Sequence, residues 1–322
     1  MSKQKQDKTP EKRQRWIERT ALALQISEAT ATELLRTPRR QSIRLNTLAG
    51  DEQQTLASLK HLGWNGEPVG WFEHGYTVVD GLEAVRDSEL VSEGKVYIQN
   101  AASWLPVLAL DPQPGERVLD VCAAPGGKTS HIAAHAQGQA SIIANDNSRP
   151  RLGKLQATME RLHATVERYT LFDATQLARK LSGEQFDKIL LDAPCSGEGM
   201  MQLDRDKDFA TWSPAQIKRL QQLQRRILSQ AWQLLKPGGT LVYSTCTMAP
   251  EENEAVIDYI LRSQEDAYIT PFTVDLPNRI PAVRSWNDRP FSPSVKDCVR
   301  LVPSETIEAF FVTVLKKSMG AV

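Results

Sequence analysis

The sequence of 322 residues lacks the features that mark membrane, secreted and disulfide-stabilised proteins. It contains no run of about 18 apolar residues, so we expect no transmembrane helix. Lysines occur in residues 1–7 without an apolar segment after them, and the sequence therefore predicts no secretory signal. Four cysteines are present and none lies close to another, which argues against a disulfide framework. We expect a cytoplasmic protein with reduced thiols and no membrane partner.

The chain also lacks net charge, since it has 39 basic and 39 acidic residues, and this argues against a general polyanion-binding protein. The charges are unevenly placed, however. Residues 1–48 contain eleven Lys or Arg and five acids, which leaves +6 in this segment. A basic end on a neutral protein is a candidate nucleic-acid contact, although a solvated tail over residues 1–12 explains the pattern equally well. The candidate RNA-contacting side chains are Arg39, Arg40 and Arg44.

The first third of the chain predicts a small α+β domain. We expect a disordered basic tail over residues 1–10, followed by one or two helices that end at Thr37-Pro38. A strand at 43–46, a helix at 52–62 and short strands near 68–72 and 76–79 complete the unit, which we place at residues 11–96. A helix from Tyr97 to Leu110 is expected to lead into the second domain, residues 97–322.

Strands and helices then alternate, which predicts a doubly wound, mostly parallel α/β sheet. The final apolar run at residues 309–315 is expected to close the sheet, in an antiparallel direction. The predicted strands cover residues 117–121, 141–145, 166–170, 186–191 and 239–244, and the predicted helices lie near residues 128–136, 149–162, 175–181, 214–235 and 251–263.

The turn after the first of these strands has the composition of a cofactor site. Small residues let a ligand approach the backbone, and the following helix start offers free N–H groups. The spacing fits neither the dinucleotide-binding nor the phosphate-loop pattern. Asp146 ends the second strand, where a ribose diol is usually held, and Asp173 follows the third, although either acid also suits a helix cap. We therefore predict S-adenosylmethionine, bound by Cys122, Ala123, Ala124, Pro125, Gly126, Gly127, Lys128, Asp146, Asp173 and Asp192.

Two cysteines follow the last two parallel strands, Cys195 in Asp192-Ala-Pro-Cys-Ser-Gly and Cys246 in Tyr243-Ser-Thr-Cys-Thr. Both thiols are therefore expected at the edge of the sheet where the parallel strands end. Thiols there suit methylation of a ring carbon that has no free lone pair, because carbon 5 of a pyrimidine becomes nucleophilic after a thiolate adds at carbon 6. Asp192 is placed to assist at ring nitrogen 3. The alternative is that both cysteines are core residues, which a shared position beside a cofactor turn disfavours.

Other polar residues carry weaker signals. His131 and His135 are four apart on a helix, but no third ligand is near in sequence, so we predict no metal. The thiols of Cys122 and Cys298 are interpreted as packing groups. Arg205 lies in the loop after Cys195 and is a candidate phosphate contact, although a solvated loop explains it nearly as well.

The cofactor turn and the two cysteine segments resemble those of the RNA 5-methylcytosine methyltransferases of the Nol1/Nop2/Sun family, particularly its bacterial ribosomal members. The resemblance covers about residues 36–317, including the runs at 120–129, 192–199, 243–247 and 251–254. It implies that Cys246 is the nucleophile, that Cys195 assists product release, and that Asp192 holds the cytosine edge. It also implies that Lys128, Asp146 and Asp173 bind S-adenosylmethionine.

Two departures from the family pattern bear on the substrate. Asn100 stands where family members often carry Glu, and the chain ends soon after its last strand, whereas longer bacterial members continue into an RNA-binding region. The predicted function is therefore cytosine-C5 methylation of RNA, with rRNA favoured, as naked RNA or in a ribosomal particle. A tRNA enzyme is the first alternative. An RNA-binding assembly factor with dispensable activity is the second, and the presence of Asp192, Cys195 and Cys246 argues against it.

Overall fold

The N-terminal part of the protein forms a small α+β unit in the computed structural model, which describes residues 8–320. Its four strands make an antiparallel sheet in the order β2-β3-β1-β4, packed on a core that includes Ile43, Leu59 and Val78. The elements of this unit are α1 (Thr9–Leu24), α2 (Glu28–Arg36), β1 (Ser42–Leu45), α3 (Glu52–His61), β2 (Asn65–Pro68), β3 (Gly75–Asp80), α4 (Leu82–Arg86), α5 (Glu89–Ser92) and β4 (Val96–Ile98).

Three features of this unit differ from the sequence-based expectation. The strand expected near residues 68–72 lies instead at Asn65–Pro68, because residues 69–72 form a turn in which the Phe72 amide donates to the Val69 carbonyl. Helix α1 begins at Thr9, with a proline in its first turn, so the last residues of the predicted tail are helical; residues 1–7 of that tail lie outside the described residues. The predicted helix from Tyr97 begins instead as strand β4, in which Ile98 pairs with Ile43. The β-prone triplet Val-Tyr-Ile explains this, and the strand spans the expected domain boundary between residues 96 and 97.

The remaining chain forms the larger α/β unit. A 3-10 turn at Ala101–Trp104 leads into its first helix. Its elements are α6 (Leu105–Leu110), β5 (Arg117–Asp120), α7 (Gly127–His135), β6 (Ser141–Asn145), α8 (Arg149–Arg161), β7 (Arg168–Thr170), α9 (Leu177–Lys180), β8 (Phe186–Asp192), α10 (Pro214–Leu234), β9 (Leu235–Thr245), α11 (Glu254–Ser263), β10 (Ala267–Thr270), β11 (Arg279–Ile280), β12 (Ser285–Trp286), β13 (Arg289–Pro290), β14 (Val299–Leu301) and β15 (Phe310–Lys317).

The central sheet has the doubly wound arrangement that the sequence predicted. Strands β7, β6, β5, β8 and β9 are parallel in that spatial order, and β15 adds to β9 in the antiparallel direction. Strands β14 and β10 in turn pair with β15. The chain order reverses between β5 and β8, and such a reversal opens a crevice at the carboxyl ends of the strands.

Two hydrophobic layers cover the sheet and fix the strand ends. Alternate residues of β5 face opposite layers: Val118 packs with α7 and α8, whereas Leu119 packs with α10. Helix α10 is capped by Ser213, which accepts a hydrogen bond from the Gln216 amide, and has a proline at its first turn. Its inner face is apolar, and its 21 residues contain no Asp or Glu.

Candidate active site

The turn that follows β5 brings backbone close to the crevice. Gly126 has φ of +111°, a left-handed conformation that side chains rarely adopt, and it caps α7. The conformation of Gly126 therefore favours glycine, and a Cβ on the adjacent Gly127 would lie 2.9 Å from Gln99 Nε2, so that side chain would have to shift. Asp120, at the end of β5, is buried and accepts a hydrogen bond from Thr129 Oγ1 at 2.7 Å; burial raises the pKa of Asp120 to about 7.

Asp146 and Asp173 line one end of the cleft in different ways. Asp146 is buried, accepts from the Ser148 amide at 3.0 Å and lies 3.2 Å from an Arg151 guanidinium nitrogen. Asp173 is exposed and accepts from the Thr175 amide at 2.9 Å, and this hydrogen bond lowers the pKa of Asp173. Asp173 therefore acts as the cap of a short 3-10 helix, which was one of the two interpretations of the sequence.

Lys128 and Asp192 form an ion pair at the centre of the crevice, with 2.7 Å between Lys128 Nζ and Asp192 Oδ2. Ser244 Oγ donates to the other Asp192 oxygen at 2.8 Å. Burial disfavours the charge on Lys128, but the neighbouring Asp192 outweighs it, and the net effect raises the lysine pKa. The carboxylate is thus held in one orientation while part of it faces the cleft.

The two thiols meet because β8 and β9 are in register. Asp192 pairs with Ser244, so the residues three and two positions later emerge side by side. The sulfur atoms of Cys195 and Cys246 lie 3.4 Å apart. The contact with Cys246, together with burial, raises the pKa of the Cys195 thiol well above its ordinary value, which keeps Cys195 protonated.

A cleft of about 310 Å³ joins these groups. Its wall includes Asp146, Asp173 and Asp192 together with both thiols, and Leu223 and Ile227 of α10 form an apolar side. A smaller adjoining cavity of about 190 Å³ is lined by residues 122–125, Gly127 and Lys128. The two cavities share Cys122, Ala124 and Asp192, and together they are lined by every predicted cofactor and catalytic residue except Gly126.

Two buried acids near the thiols, Glu198 and Glu252, lie in the runs at 192–199 and 251–254, and the sequence analysis assigned them no role. Glu252 Oε1 accepts from the Ser196 amide and from Gln224 Nε2, both at 2.9 Å. Glu198 Oε1 accepts from Trp212 Nε1 at 2.9 Å. Their signal in the sequence is an acid next to each thiol segment, but only the fold shows that both carboxyls are buried.

The structure partly corrects the prediction of RNA-contacting arginines. Arg44 is 1% exposed, donates to Ser130 Oγ at 2.8 Å and lies over the Tyr97 ring, so its guanidinium is not available to a phosphate. Arg39 donates to the backbone carbonyls of Gly199 and Met201 and so stabilises the loop after Cys195.

Two other arginines of that set remain exposed but are paired. Arg40 lies 3.6 Å from a Glu67 oxygen and 3.7 Å from a Glu305 oxygen. Arg205 makes an ion pair of 2.9 Å with Asp208.

Asn100, the departure from the family pattern, lies at the edge of the site. Its amide nitrogen donates to Glu308 Oε1 at 2.6 Å. Burial raises the pKa of Glu308 to about 7, although the nearby charges of Arg39 and Lys128 act in the opposite direction. Asn100 therefore gives this buried carboxyl a neutral hydrogen-bond donor.

The histidine pair makes internal contacts. His131 packs on Phe72, and His135 Nε2 lies 3.0 Å from Asp111 Oδ1. No group of three or more metal-ligating side chains occurs within residues 8–320. Across the same residues, none of the helices combines the length and the apolar character needed to cross a bilayer.

Comparisons with known proteins identify the family of this chain. The sequence model of a family described as "16S rRNA methyltransferase RsmB/F" matches residues 107–316. The tRNA (cytosine(49)-C(5))-methyltransferase of Pyrococcus abyssi is 36% identical over 284 residues, which are 87% of this chain and 89% of that protein. Ribosomal RNA small subunit methyltransferase F of Klebsiella pneumoniae is 39% identical over 289 residues, 87% of this chain but 58% of that protein.

A solved structure of a methyltransferase homologue from Pyrococcus horikoshii supports the fold assignment. It has a TM-score of 0.76 and 32% identity, and the match covers 94% of this chain and 99% of that one. The larger unit is thus a Rossmann-like, S-adenosylmethionine-dependent methyltransferase fold. This chain spans just over half the length of the bacterial relatives named small subunit methyltransferase F.

Proposed function

The chain belongs to the RsmB/F family of RNA methyltransferases, and from that premise we propose that it methylates carbon 5 of cytosine in RNA. The observation that carries the proposal is the pair of thiols 3.4 Å apart in a cleft shared with three carboxylates. A direct attack by an amino nitrogen would not need a thiol, whereas activation of a ring carbon does.

Ribosomal RNA is our first candidate substrate, because the matching family is described by 16S rRNA. Transfer RNA is the second. It is supported by the relative from Pyrococcus abyssi, which is named a tRNA (cytosine(49)-C(5))-methyltransferase and is 36% identical over 87% of this chain.

The cleft suits S-adenosylmethionine. We propose that Asp146 holds the ribose diol, that Asp173 faces the adenine edge, and that the turn from Cys122 to Lys128 holds the amino-acid part. The buried carboxylate at one end and the thiols at the other match a ligand whose sugar and reactive groups are separated. When bound, this cofactor supplies the methyl group.

The proposed chemistry uses three side chains. The Cys246 thiolate forms a bond to carbon 6 of cytosine while Asp192 holds the ring edge at nitrogen 3, so carbon 5 gains electron density. After methyl transfer, a base removes the proton from carbon 5, the bond between Cys246 sulfur and carbon 6 breaks, and Cys246 leaves as a thiolate. Cys195 assists this release because it lies beside the leaving sulfur.

The outer face of α10 is our candidate RNA contact. Lys218, Arg219 and Arg226 are exposed there and make no direct ion pair within the part of the chain that the structure describes, although the charge of Arg226 is near enough to Asp173 to help lower the pKa of that carboxyl. Leu223 and Ile227 of the same helix line the cleft, so the cations border its entrance. Unpaired cations suit phosphates better than the paired Arg40 and Arg205. The N-terminal unit is proposed as a further RNA-binding part.

The test is methyl transfer from labelled cofactor to separate pools of naked rRNA, small ribosomal subunits, tRNA and DNA. Label in 5-methylcytosine of one RNA pool is expected, and the preferred pool separates the two substrates. Label in DNA alone, or in a product other than 5-methylcytosine, would contradict the proposal. Normal RNA binding with no transfer to any pool would favour the assembly-factor alternative.

A further inference from the structure

A hydrogen-bond chain of four side chains, of which Ser196 is half-buried and the other three are buried, connects the residue after Cys195 to the residue after Cys246. Glu252 Oε2 lies 2.5 Å from Ser196 Oγ, which lies 2.8 Å from Thr247 Oγ1, which lies 3.1 Å from Glu198 Oε2. The carboxyl groups at both ends are at most 3% exposed. The hydrogen-bond chain therefore links the segments that follow β8 and β9, next to the two thiols.

The number of hydrogens available to this hydrogen-bond chain shows how many of its carboxyls can be ionised. Three hydrogen bonds need three donated hydrogens, but two hydroxyls supply only two. If both carboxyls were ionised, one link would have no hydrogen. A proton on either Glu198 or Glu252 supplies the third and satisfies every link, whichever end carries it.

We propose that Glu198 and Glu252 share one proton through Ser196 and Thr247, and that this protonated hydrogen-bond chain, added to the register of β8 and β9, helps to hold Cys195 and Cys246 in position for catalysis. The four residues are positioning residues, since none of them contacts the reacting atoms. The inference rests on the proposed function for its catalytic consequence, but the shared proton itself is a property of the protein alone.

The surroundings of the chain favour retention of the proton. Burial and the nearby Glu198 raise the pKa of Glu252 to about 7, against the hydrogen bonds from Ser196 and Gln224. Burial also raises the pKa of Glu198. Charged or titratable groups facing the chain are Arg19 and Glu251, which pair with each other at 2.9 Å, and Asp192, Cys195 and Tyr243 on the sheet side.

Loss of the shared proton has a defined structural consequence. One of the three links must break, and the two ionised carboxyls repel each other. Because Ser196 and Thr247 each adjoin a thiol, the segments that carry Cys195 and Cys246 then lose one side-chain link, although the hydrogen bond of 2.8 Å from the Gly199 amide to the Cys246 carbonyl remains. Methyl transfer should therefore decline on the alkaline side as the chain titrates, while ionisation of the nucleophile acts in the opposite direction.

Glutamine at either end tests the idea, because its amide supplies a permanent donor. In Glu252→Gln the amide oxygen keeps the bonds from the Ser196 amide and Gln224, and the nitrogen donates to Ser196 Oγ. Glu198→Gln fits equally well, with its oxygen towards Trp212 and its nitrogen towards Thr247. Each single variant should lose the alkaline decline of kcat, whereas Glu265→Gln, the same change on an exposed carboxyl, should keep it.

The double variant Glu198→Gln/Glu252→Gln separates this idea from a simple loss of charge. Both ends then donate, and one hydroxyl hydrogen is left buried without an acceptor. We expect kcat to fall roughly tenfold or more below either single variant. Single variants as impaired as the double one, or an alkaline decline that both single variants retain, would overturn the proposal.

Infrared spectroscopy detects the proton without any methyl transfer. The carboxylic-acid stretch of the shared proton should titrate in the wild type, and each single Gln variant should remove that same band. A band that only one variant removes would mean an unshared proton. Thr247→Val cuts the hydrogen-bond chain in the middle and removes a donor that lowers the pKa of Glu198, so the carboxylic-acid band should then belong to Glu198 and titrate at higher pH than in the wild type; this variant serves if a Gln variant does not fold. If wild-type protein methylates no RNA, the proposed function fails, while the infrared result still decides the shared proton.

Discussion

The sulfur atoms of Cys195 and Cys246 lie 3.4 Å apart although 51 positions separate the two residues in the chain. The parallel register of β8 and β9, with Asp192 opposite Ser244, sets this distance. Contact between two thiols disfavours ionisation of both, because a second negative charge beside the first is costly. The arrangement thus favours one nucleophile and one protonated neighbour, and it makes the two roles separable by mutation.

We predict that Cys195→Ala accumulates a covalent protein–RNA adduct and that Cys246→Ala forms none. Without Cys195, attack and methyl transfer proceed but release is impaired. Without Cys246, no bond to carbon 6 forms. A denaturing gel with labelled RNA and S-adenosylmethionine measures this directly.

The double variant Cys195→Ala/Cys246→Ala is the control and should give no adduct. Adduct formation by Cys195→Ala should rise with pH until the nucleophile is ionised, since thiolate rather than thiol attacks. An adduct with Cys246→Ala instead would exchange the two roles. Unchanged activity in both single variants would assign the two cysteines to core packing.

We predict that Asp146→Asn weakens S-adenosylmethionine binding about 10- to 100-fold, because a buried charged acceptor for the ribose is lost. Asp173→Asn is the matched variant. Asn caps helices as well as Asp does, and residue 173 is exposed, so its effect should be smaller. Calorimetry with the cofactor compares them, and unchanged affinity for Asp146→Asn would remove Asp146 from the binding site.

The sequence predicted the sheet, the cofactor turn and the meeting of the thiols, because those follow from local patterns and from the shared edge of parallel strands. It did not predict which arginines are accessible. Arg44 follows the alternation of β1, but its burial depends on the position of Ser130 in α7, far along the chain. The hydrogen-bond chain under the thiols was equally hidden, since Ser196 and Thr247 meet only after β8 and β9 pair.

We predict that Arg44→Ala lowers the free energy of unfolding by about 1–3 kcal/mol, because it leaves a cavity between β1 and α7. Burial lowers the pKa of the Arg44 guanidinium to about 10, and the side chain donates to a neutral hydroxyl. Chemical denaturation measures the loss, and the salt dependence of RNA binding by the folded variant should not change. A smaller salt dependence with normal stability would restore Arg44 as an RNA contact.

We predict that replacing Lys218, Arg219 and Arg226 with Gln reduces the steepness of the salt dependence of RNA affinity. Three phosphate contacts to a single strand contribute a slope of about 2 in the plot of log affinity against log salt. A matched triple variant at Arg279, Arg289 and Lys296, which are also exposed, controls for net charge. Equal effects of the two variants would contradict a localised RNA contact on α10.

We predict that Glu308→Gln makes the protein's stability less sensitive to pH between about 4.5 and about 7. Burial raises the pKa of Glu308 from 4.5 to about 7, so in this interval the folded state binds a proton that the unfolded state has released. The contribution of Glu308 to the free energy of unfolding is therefore present at low pH. It is lost as pH rises through the folded-state pKa, by up to about 1.4 kcal/mol per pH unit.

Urea denaturation across this pH interval measures the change, with Glu265→Gln as the exposed control. The amide in Glu308→Gln keeps an oxygen for the hydrogen bond from Asn100, so the local contact survives while the titration disappears. If the wild type and Glu308→Gln show the same pH dependence, Glu308 is ionised in the folded protein. The charges of Arg39 and Lys128 would then outweigh burial, and the edge of the active site beside Lys128 would carry a negative charge at neutral pH.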